Sequence, residues 1–174
     1  MLRWLIFFST ACMVSCAPKV EQTAVYIAPY AGPMMTATNI ETIYSDSGET
    51  KLILKAPVQL LLQNSDREFP KGVYVEFFDE QKDPKAILTS NYAIFYKEKN
   101  LYKISGNVVI DNKRDGKKMS TEELFWSPAT KKIYTDKFLV IETANEIVKG
   151  NGMDATQDFS SYTIRTVTGI VSVK

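Results

Sequence analysis

A chain of 174 residues is long enough for one packed domain, and its 21 Lys and Arg against 20 Asp and Glu leave no basic excess for neutralising nucleic-acid phosphates. Histidine is absent, which excludes imidazole bases, Ser-His-Asp and Cys-His arrangements, and every His-ligated metal site. At 45% hydrophobic and 11% aromatic, the composition suits a packed core rather than a disordered chain.

The N-terminus reads as a targeting segment. Arg3 gives a short positive start, and residues 4–13 are apolar but too short to cross a bilayer comfortably. The stretch ends in Met13, Val14, Ser15 and Cys16, which resembles a bacterial lipobox with Met13 where Leu is usual. Residues 1–15 are therefore expected to be a lipoprotein signal peptide, with Cys16 carrying the acyl chains (palmitate). A plain secretory signal is the alternative, and it would leave Cys12 and Cys16 as thiols. Cleavage before Cys16 leaves that residue as the sole cysteine, so no disulfide forms and stability rests on packing and strand pairing. Residues 16–36 read as the lipidated N-terminus and a linker, with Pro18, Pro29, Gly32 and Pro33 and no sustained periodicity. The folded domain is expected over 37–174.

From there strand follows strand. KLILKA (51–56) is a β-rich run ended by Pro57, and 56–64 is read as strand although a helical turn would fit. In 72–78, Val73, Val75 and Phe77 share one face. Tyr102, Ile104, Gly106, Val108 and Ile110 alternate over nine residues, and 133–141 and 162–173 repeat the pattern. Turn chemistry separates these runs at Asp46-Ser47-Gly48, Asp83-Pro84, Lys99-Asn100, Asp115-Gly116, Ser127-Pro128 and Asn151-Gly152. A weak repeat of about thirty residues runs through the second half. SNYAIF (90–95) matches TEELFW (121–126), each followed by a charged turn and then LYKI (101–104) or KIYT (132–135). A third copy begins at Gly150 and ends in the strand at Tyr162. Stacked hairpins bury a common interior, either as a solenoid-like rolled sheet or as a sandwich.

Catalytic and metal patterns are not found. Gly116-Lys117-Lys118 lacks the glycine spacing of a phosphate loop. Adjacent carboxylates at Asp79-Glu80 and Glu122-Glu123 point to opposite faces of a strand. Residues 111–116 lack the oxygen spacing and terminal Glu of a calcium loop and read as a hairpin tip. No catalytic residue, cofactor or metal is assigned. What remains is an apolar interior of Phe77, Leu88, Phe95, Tyr102, Ile104, Leu124, Trp126, Ile133, Val140, Met153, Tyr162 and Ile164. Composition alone favours a closed, dry core there. Basic clusters at Lys97/Lys99/Lys103, Lys113/Arg114/Lys117/Lys118 and Lys131/Lys132 serve either to protect hairpin tips and sheet edges or to meet lipid phosphates at a groove mouth.

Particular segments carry a family likeness. EFPKGVYVEFFD (68–79), SNYAIFY (90–96) with LYKISGNVVI (101–110), KMSTEELFW (118–126) with KIYTDKF (132–138), and GNGM (150–153) with Asp158 and Phe159 follow one another in the order and spacing of LptC-type lipopolysaccharide export proteins. The chain resembles that family, in a Bacteroidetes-like lipoprotein form, over about residues 39–172. The resemblance implies an all-β fold, an open twisted β-jellyroll of repeated antiparallel hairpins. It implies lipopolysaccharide acyl chains held between the sheets, with the twelve interior residues above as groove candidates. It implies LptF/LptG-type inner-membrane transporter subunits and an LptA-type bridge protein as partners, docking by edge strands. Residues 162–173 are expected to form one edge and the strands near 40–54 the other. Cys16 would anchor the protein to the inner membrane, facing the periplasm. The competing expectation is a structural or adhesive β-sandwich lipoprotein without cargo, with a sealed core and every strand edge capped.

Overall fold

A computed structural model describes residues 28–79 and 83–172. The segment expected to be a signal peptide, Cys16 and most of the expected linker lie outside the described residues. The chain divides into two units, Met1–Tyr30 and Ala31–Lys174, and only the second is described below.

Eleven strands form one antiparallel sheet: β1 (Met35–Asp46), β2 (Glu49–Leu61), β3 (Arg67–Phe69), β4 (Val73–Phe77), β5 (Ala86–Ser90), β6 (Tyr92–Tyr96), β7 (Leu101–Asn112), β8 (Lys117–Ser127), β9 (Lys132–Glu142), β10 (Glu146–Thr156) and β11 (Tyr162–Ser172). No described residue is helical, as the period-2 patterning and the β-branched and aromatic runs predict. The order is β11-β10-β9-β8-β7-β5-β4-β2, with β1 on the outer side of β2, and a second path from β7 through β6 and β3 back to β2.

Those two paths define two leaves. β7 gives residues 109–112 to β5 and residues 101–105 to β6. β2 likewise gives 52–55 to β4 and 60–61 to β3. The long strands therefore run through both leaves, and the sheet is folded across its middle. Backbone irregularities mark the fold line. β7 carries a bulge between Ser105 and Val108, with Gly106 and Asn107 both at positive φ. The β8–β9 and β9–β10 pairings shift at the same level. The chain crosses the line at Gly72 and returns at Asn91, whose N–H donates to the Gly106 carbonyl at 2.8 Å. Gly72 has φ +80°, and a Cβ there would sit 2.0 Å from the Ser90 carbonyl oxygen, so only glycine fits this crossing.

Two turn signals act differently from the sequence expectation. Pro57 does not end its strand. It sits in β2 opposite Asn39 (φ 51°), where the pairing steps from Ile40↔Ala56 to Thr38↔Val58 with no ladder bond for its missing N–H to break. Asn151-Gly152 lies inside β10, where Gly152 (φ 72°) forms part of the fold line rather than a hairpin tip. The other signals stand at turns: Asp46-Ser47-Gly48 between β1 and β2, Asn100 (φ 46°) between β6 and β7, and Asp115-Gly116 between β7 and β8. The repeat corresponds to three hairpins, β6–β7, β8–β9 and β10–β11, whose tips each hold one residue at positive φ: Asn100, Lys131 and Phe159.

The core fills the space between the leaves. Val75, Leu88, Val108, Ile110, Met119, Leu124, Ile133, Leu139, Ile141 and Met153 are fully buried in one cluster. Phe77 from one leaf meets Trp126 from the other edge-to-face, with ring centroids 5.5 Å apart. Among the described residues, no buried side-chain N or O atom lacks a hydrogen-bond partner.

Candidate functional site

At the free tips of the leaves, on the β1–β3 flank, the core opens into a cleft of about 510 Å³. One wall comes from Thr42, Tyr44, Leu52, Leu54 and Phe78 at the tip of the β4–β5 leaf. The other comes from Phe69, Phe95, Tyr102 and Trp126 of the facing leaf, with Pro128 and Ala129 from the β8–β9 turn. The aromatic groups form a continuous series. Tyr102 stacks on Trp126 at 4.7 Å and packs on Phe95 at 4.6 Å, with Phe69 6.4 Å away. Sequence alternation produces this wall, because Phe95, Tyr102 and Trp126 occupy inward positions opposite one another in the β6–β7–β8 pairing (Phe95↔Tyr102, Tyr102↔Trp126).

Cations stand at the mouth. Arg67 lies over the Phe95 ring at 4.6 Å and Lys131 lines the opening, as does Lys51, which is ion-paired with Glu49 at 2.5 Å. Burial raises the Tyr102 phenol above its ordinary range, with the Arg67 charge opposing, so Tyr102 stays neutral at physiological pH. The cleft therefore combines apolar and aromatic walls with positive charge at its rim. That arrangement matches an amphiphile with fatty chains and an anionic head.

The twelve interior candidates separate into four groups. Tyr102 lines the cleft half-buried, and Phe95 and Trp126 border it while themselves buried in the core, at 5% and 2% exposure. Phe77, Leu88, Ile104, Leu124, Ile133 and Met153 are buried in the closed core beneath it. Tyr162 and Ile164 are half-buried on β11 and pack against that core. Val140 lies on the opposite face of β9, half-buried, while its neighbours Leu139 and Ile141 point inward. Inward positions on β9 are 133, 135, 139 and 141, and period-2 alternation excludes Val140 from that set. Arg67 and Lys51 were not legible as site residues, since neither lies in a basic run. Of the three basic clusters only Lys131 reaches the cleft. Lys103 pairs with Glu123 at 2.9 Å, Arg114 pairs with Asp79, and Lys113 pairs with Asp111 at the β7–β8 tip. Among the described residues, no three His, Cys, Asp or Glu side chains converge as metal ligands.

Beside the cleft, the turn between β10 and β11 carries the most strongly shifted carboxylate. Burial acts to raise the Asp158 carboxyl, but hydrogen bonds from Lys85, Thr156 and Ser160 outweigh it and hold the group at about 2. Its ordinary value is close to 4. The folded state thus prefers the ionised form, and this contribution is complete above pH ~4 and fades as pH falls towards 2. Thermal melts of Asp158→Asn are accordingly expected to differ most from wild type above pH ~4 and to converge with it near pH 2. A constant difference across that window would show that the carboxylate charge is not what matters.

Both flanking strands of the sheet are open. β1 pairs only with β2 and β11 only with β10 among the described residues. They expose Met35, Ile43 and Tyr44 on one side and Val167, Ile170 and Val171 on the other. Exposed apolar edges of this kind mark interaction surfaces or aggregation hazards.

Rolled in this way, with strands shared between two leaves and a slot at their tips, the sheet is an open β-jellyroll. The sequence matches the model of the LptC-related lipopolysaccharide-assembly family over residues 5–169, and the chain belongs to that family. Membership implies a role in lipopolysaccharide transport at the periplasmic side of the envelope, within a transport-bridge family rather than an enzyme family. No curated protein matches the chain.

Proposed function

We propose that this protein is the periplasmic bridge component that takes lipopolysaccharide from an LptF/LptG-type inner-membrane transporter and passes it to an LptA-type partner. The observation that carries this reading is the cleft between the leaf tips, with aromatic walls and a cationic rim. Acyl chains crossing water expose apolar area at roughly 25 cal/mol per Å², and a slot walled by Phe69, Phe95, Tyr102 and Trp126 removes that cost without chemistry. Arg67 and Lys131 suit the lipid A phosphates at the mouth. The open edges of β1 and β11 suit strand addition by neighbouring domains. Cys16 supplies the lipid anchor to the inner membrane and the residues after it the tether, with the jellyroll domain running from β1, which starts at Met35.

Photo-crosslinking residues tested in cells decide between carriage and a cargo-free structural role. Benzoylphenylalanine at Phe95, Tyr102 or Trp126 is expected to capture lipopolysaccharide, and at the exposed outer residue Phe138 it is not. Capture confined to Phe138 and other outer positions would overturn the reading.

A further inference from the structure

A group of hydrogen bonds and an ion pair joins the leaf tips on one flank of the cleft. The turn at 157–161 belongs to the β8–β10 tip. There Gln157 donates its backbone N–H to the Lys131 carbonyl at 3.0 Å, and its Oε1 accepts the Trp126 indole N–H at 3.1 Å. From this base the turn reaches over to the tip of the other leaf. Asp158 pairs with Lys85 at 2.8 Å, and its carbonyl accepts from Asn112 Nδ2 at 2.9 Å. The Ser160 carbonyl accepts from Lys117 Nζ at 3.1 Å. Asn112 is fully buried and is itself fixed by the Asp115 N–H at 2.8 Å. Phe159, also fully buried at φ 55°, closes the seam and stacks on Tyr162 at 5.1 Å.

The ion pair from this turn to the other leaf lies near the surface, with the Lys85 and Asp158 side chains 18% and 27% exposed, while the Asn112 hydrogen bond and the Phe159 ring lie buried beneath it. On the β1–β3 flank the leaf tips are spread instead, and the cleft occupies the gap. Gln157 and Trp126 belong to both features, since each lines the cleft and together they anchor the turn. We propose that the 157–161 turn is a latch. It pins the leaf tips together beside the cleft, and its release lets them part and widens the cleft towards the closed core. The latch rests on the lipid-carrying reading for its use, because widening would lengthen a slot that otherwise ends at Trp126. The part-exposed Lys85–Asp158 pair is the contact most readily exchanged for water, and its loss leaves the buried Asn112 bond and Phe159 ring to hold the turn, whereas the apolar packing at the fold line keeps the leaves joined.

The test uses the full chain and cis-parinaric acid as the fluorescent acyl probe. Lys85→Met and Asp158→Asn are expected to speed probe uptake at least fivefold in stopped flow. The exchanged pair Lys85→Asp/Asp158→Lys is expected to return the rate to within twofold of wild type. Hydrogen exchange supplies a readout independent of cargo: both single variants should raise exchange at 85–89 and at 126–131, on the two leaf tips. Unchanged uptake in both single variants, or exchange raised only within 157–161, would overturn the latch. Should the probe bind no form at all, the lipid-carrying reading fails, and exchange alone then decides the latch by the same two outcomes.

Discussion

Replacing Trp126 with Ala is expected to lower the unfolding free energy by about 3–5 kcal/mol, the range found when a large buried aromatic is truncated. Trp126 is 2% exposed and links three parts of the molecule. Its ring meets Phe77 of the facing leaf at 5.5 Å and Tyr102 of its own leaf at 4.7 Å, and its indole N–H donates to Gln157. Truncation removes the cross-leaf contact, leaves Gln157 without its donor, and opens the cleft floor onto the core. Trp126→Phe keeps most of the apolar contact and is expected to lose less than half as much. Urea unfolding followed by circular dichroism measures both, with the slope unchanged if only the native contacts differ. A loss below ~1 kcal/mol for Trp126→Ala would mean that the leaves do not depend on each other at this point.

Gly72→Ala is expected to cost about 2–4 kcal/mol, while Gly48→Ala costs about 1. Both glycines sit in the left-handed region, at φ +80° and +83°. The conformational strain of adding a Cβ is therefore shared, and the surroundings make the difference. Nothing lies within 4 Å of a Cβ at Gly48, at the tip of the β1–β2 hairpin. At Gly72 the new carbon would stand 2.0 Å from the Ser90 carbonyl oxygen and 3.0 Å from its carbon, both backbone atoms. Making room requires the β3–β4 crossing to move away from the β5–β6 crossing, which spreads the fold line. Paired denaturation curves give the comparison, and equal losses at the two sites would remove the claim that the crossings are packed against each other.

The class of fold was legible because alternation, turn residues and the thirty-residue repeat all reported the same hairpins. The repeat in particular located two of the tips, at 97–100 and 128–131, while the third, at 157–161, was bounded only by the copy that begins at Gly150 and ends in the strand at Tyr162. The folding of the sheet back on itself was not legible. It depends on Gly72, Asn91, Gly106-Asn107, Pro57 and Gly152 lying side by side, although they are far apart in sequence. Read locally, Pro57 is a strand end and Asn151-Gly152 is a turn. Only across the sheet do they become a shared bend. The site was half legible for a related reason. Alternation shows which side chains face inward, but not whether the inward space is filled or open. Ile104 and Tyr102 are two residues apart on one face of β7, and the first is sealed in the core while the second borders the cleft. That difference comes from how far the leaf tips spread, which local pattern does not encode. Arg67 was missed because its position is set by the three-residue strand β3, too short to show a period.

Among the described residues the two unpaired rims of the sheet belong to different strands, β1 beyond β2 at one end and β11 at the other. Pairing rim to unlike rim is a heterologous contact, and each added domain then exposes a fresh copy of the rim just consumed. Growth of that kind is linear and directional, and it stops only when a component lacking one rim is reached. Pairing like rims gives instead a closed twofold dimer in which both partners point opposite ways. The bridge proposed above requires the first geometry, and two unlike rims are what that geometry uses.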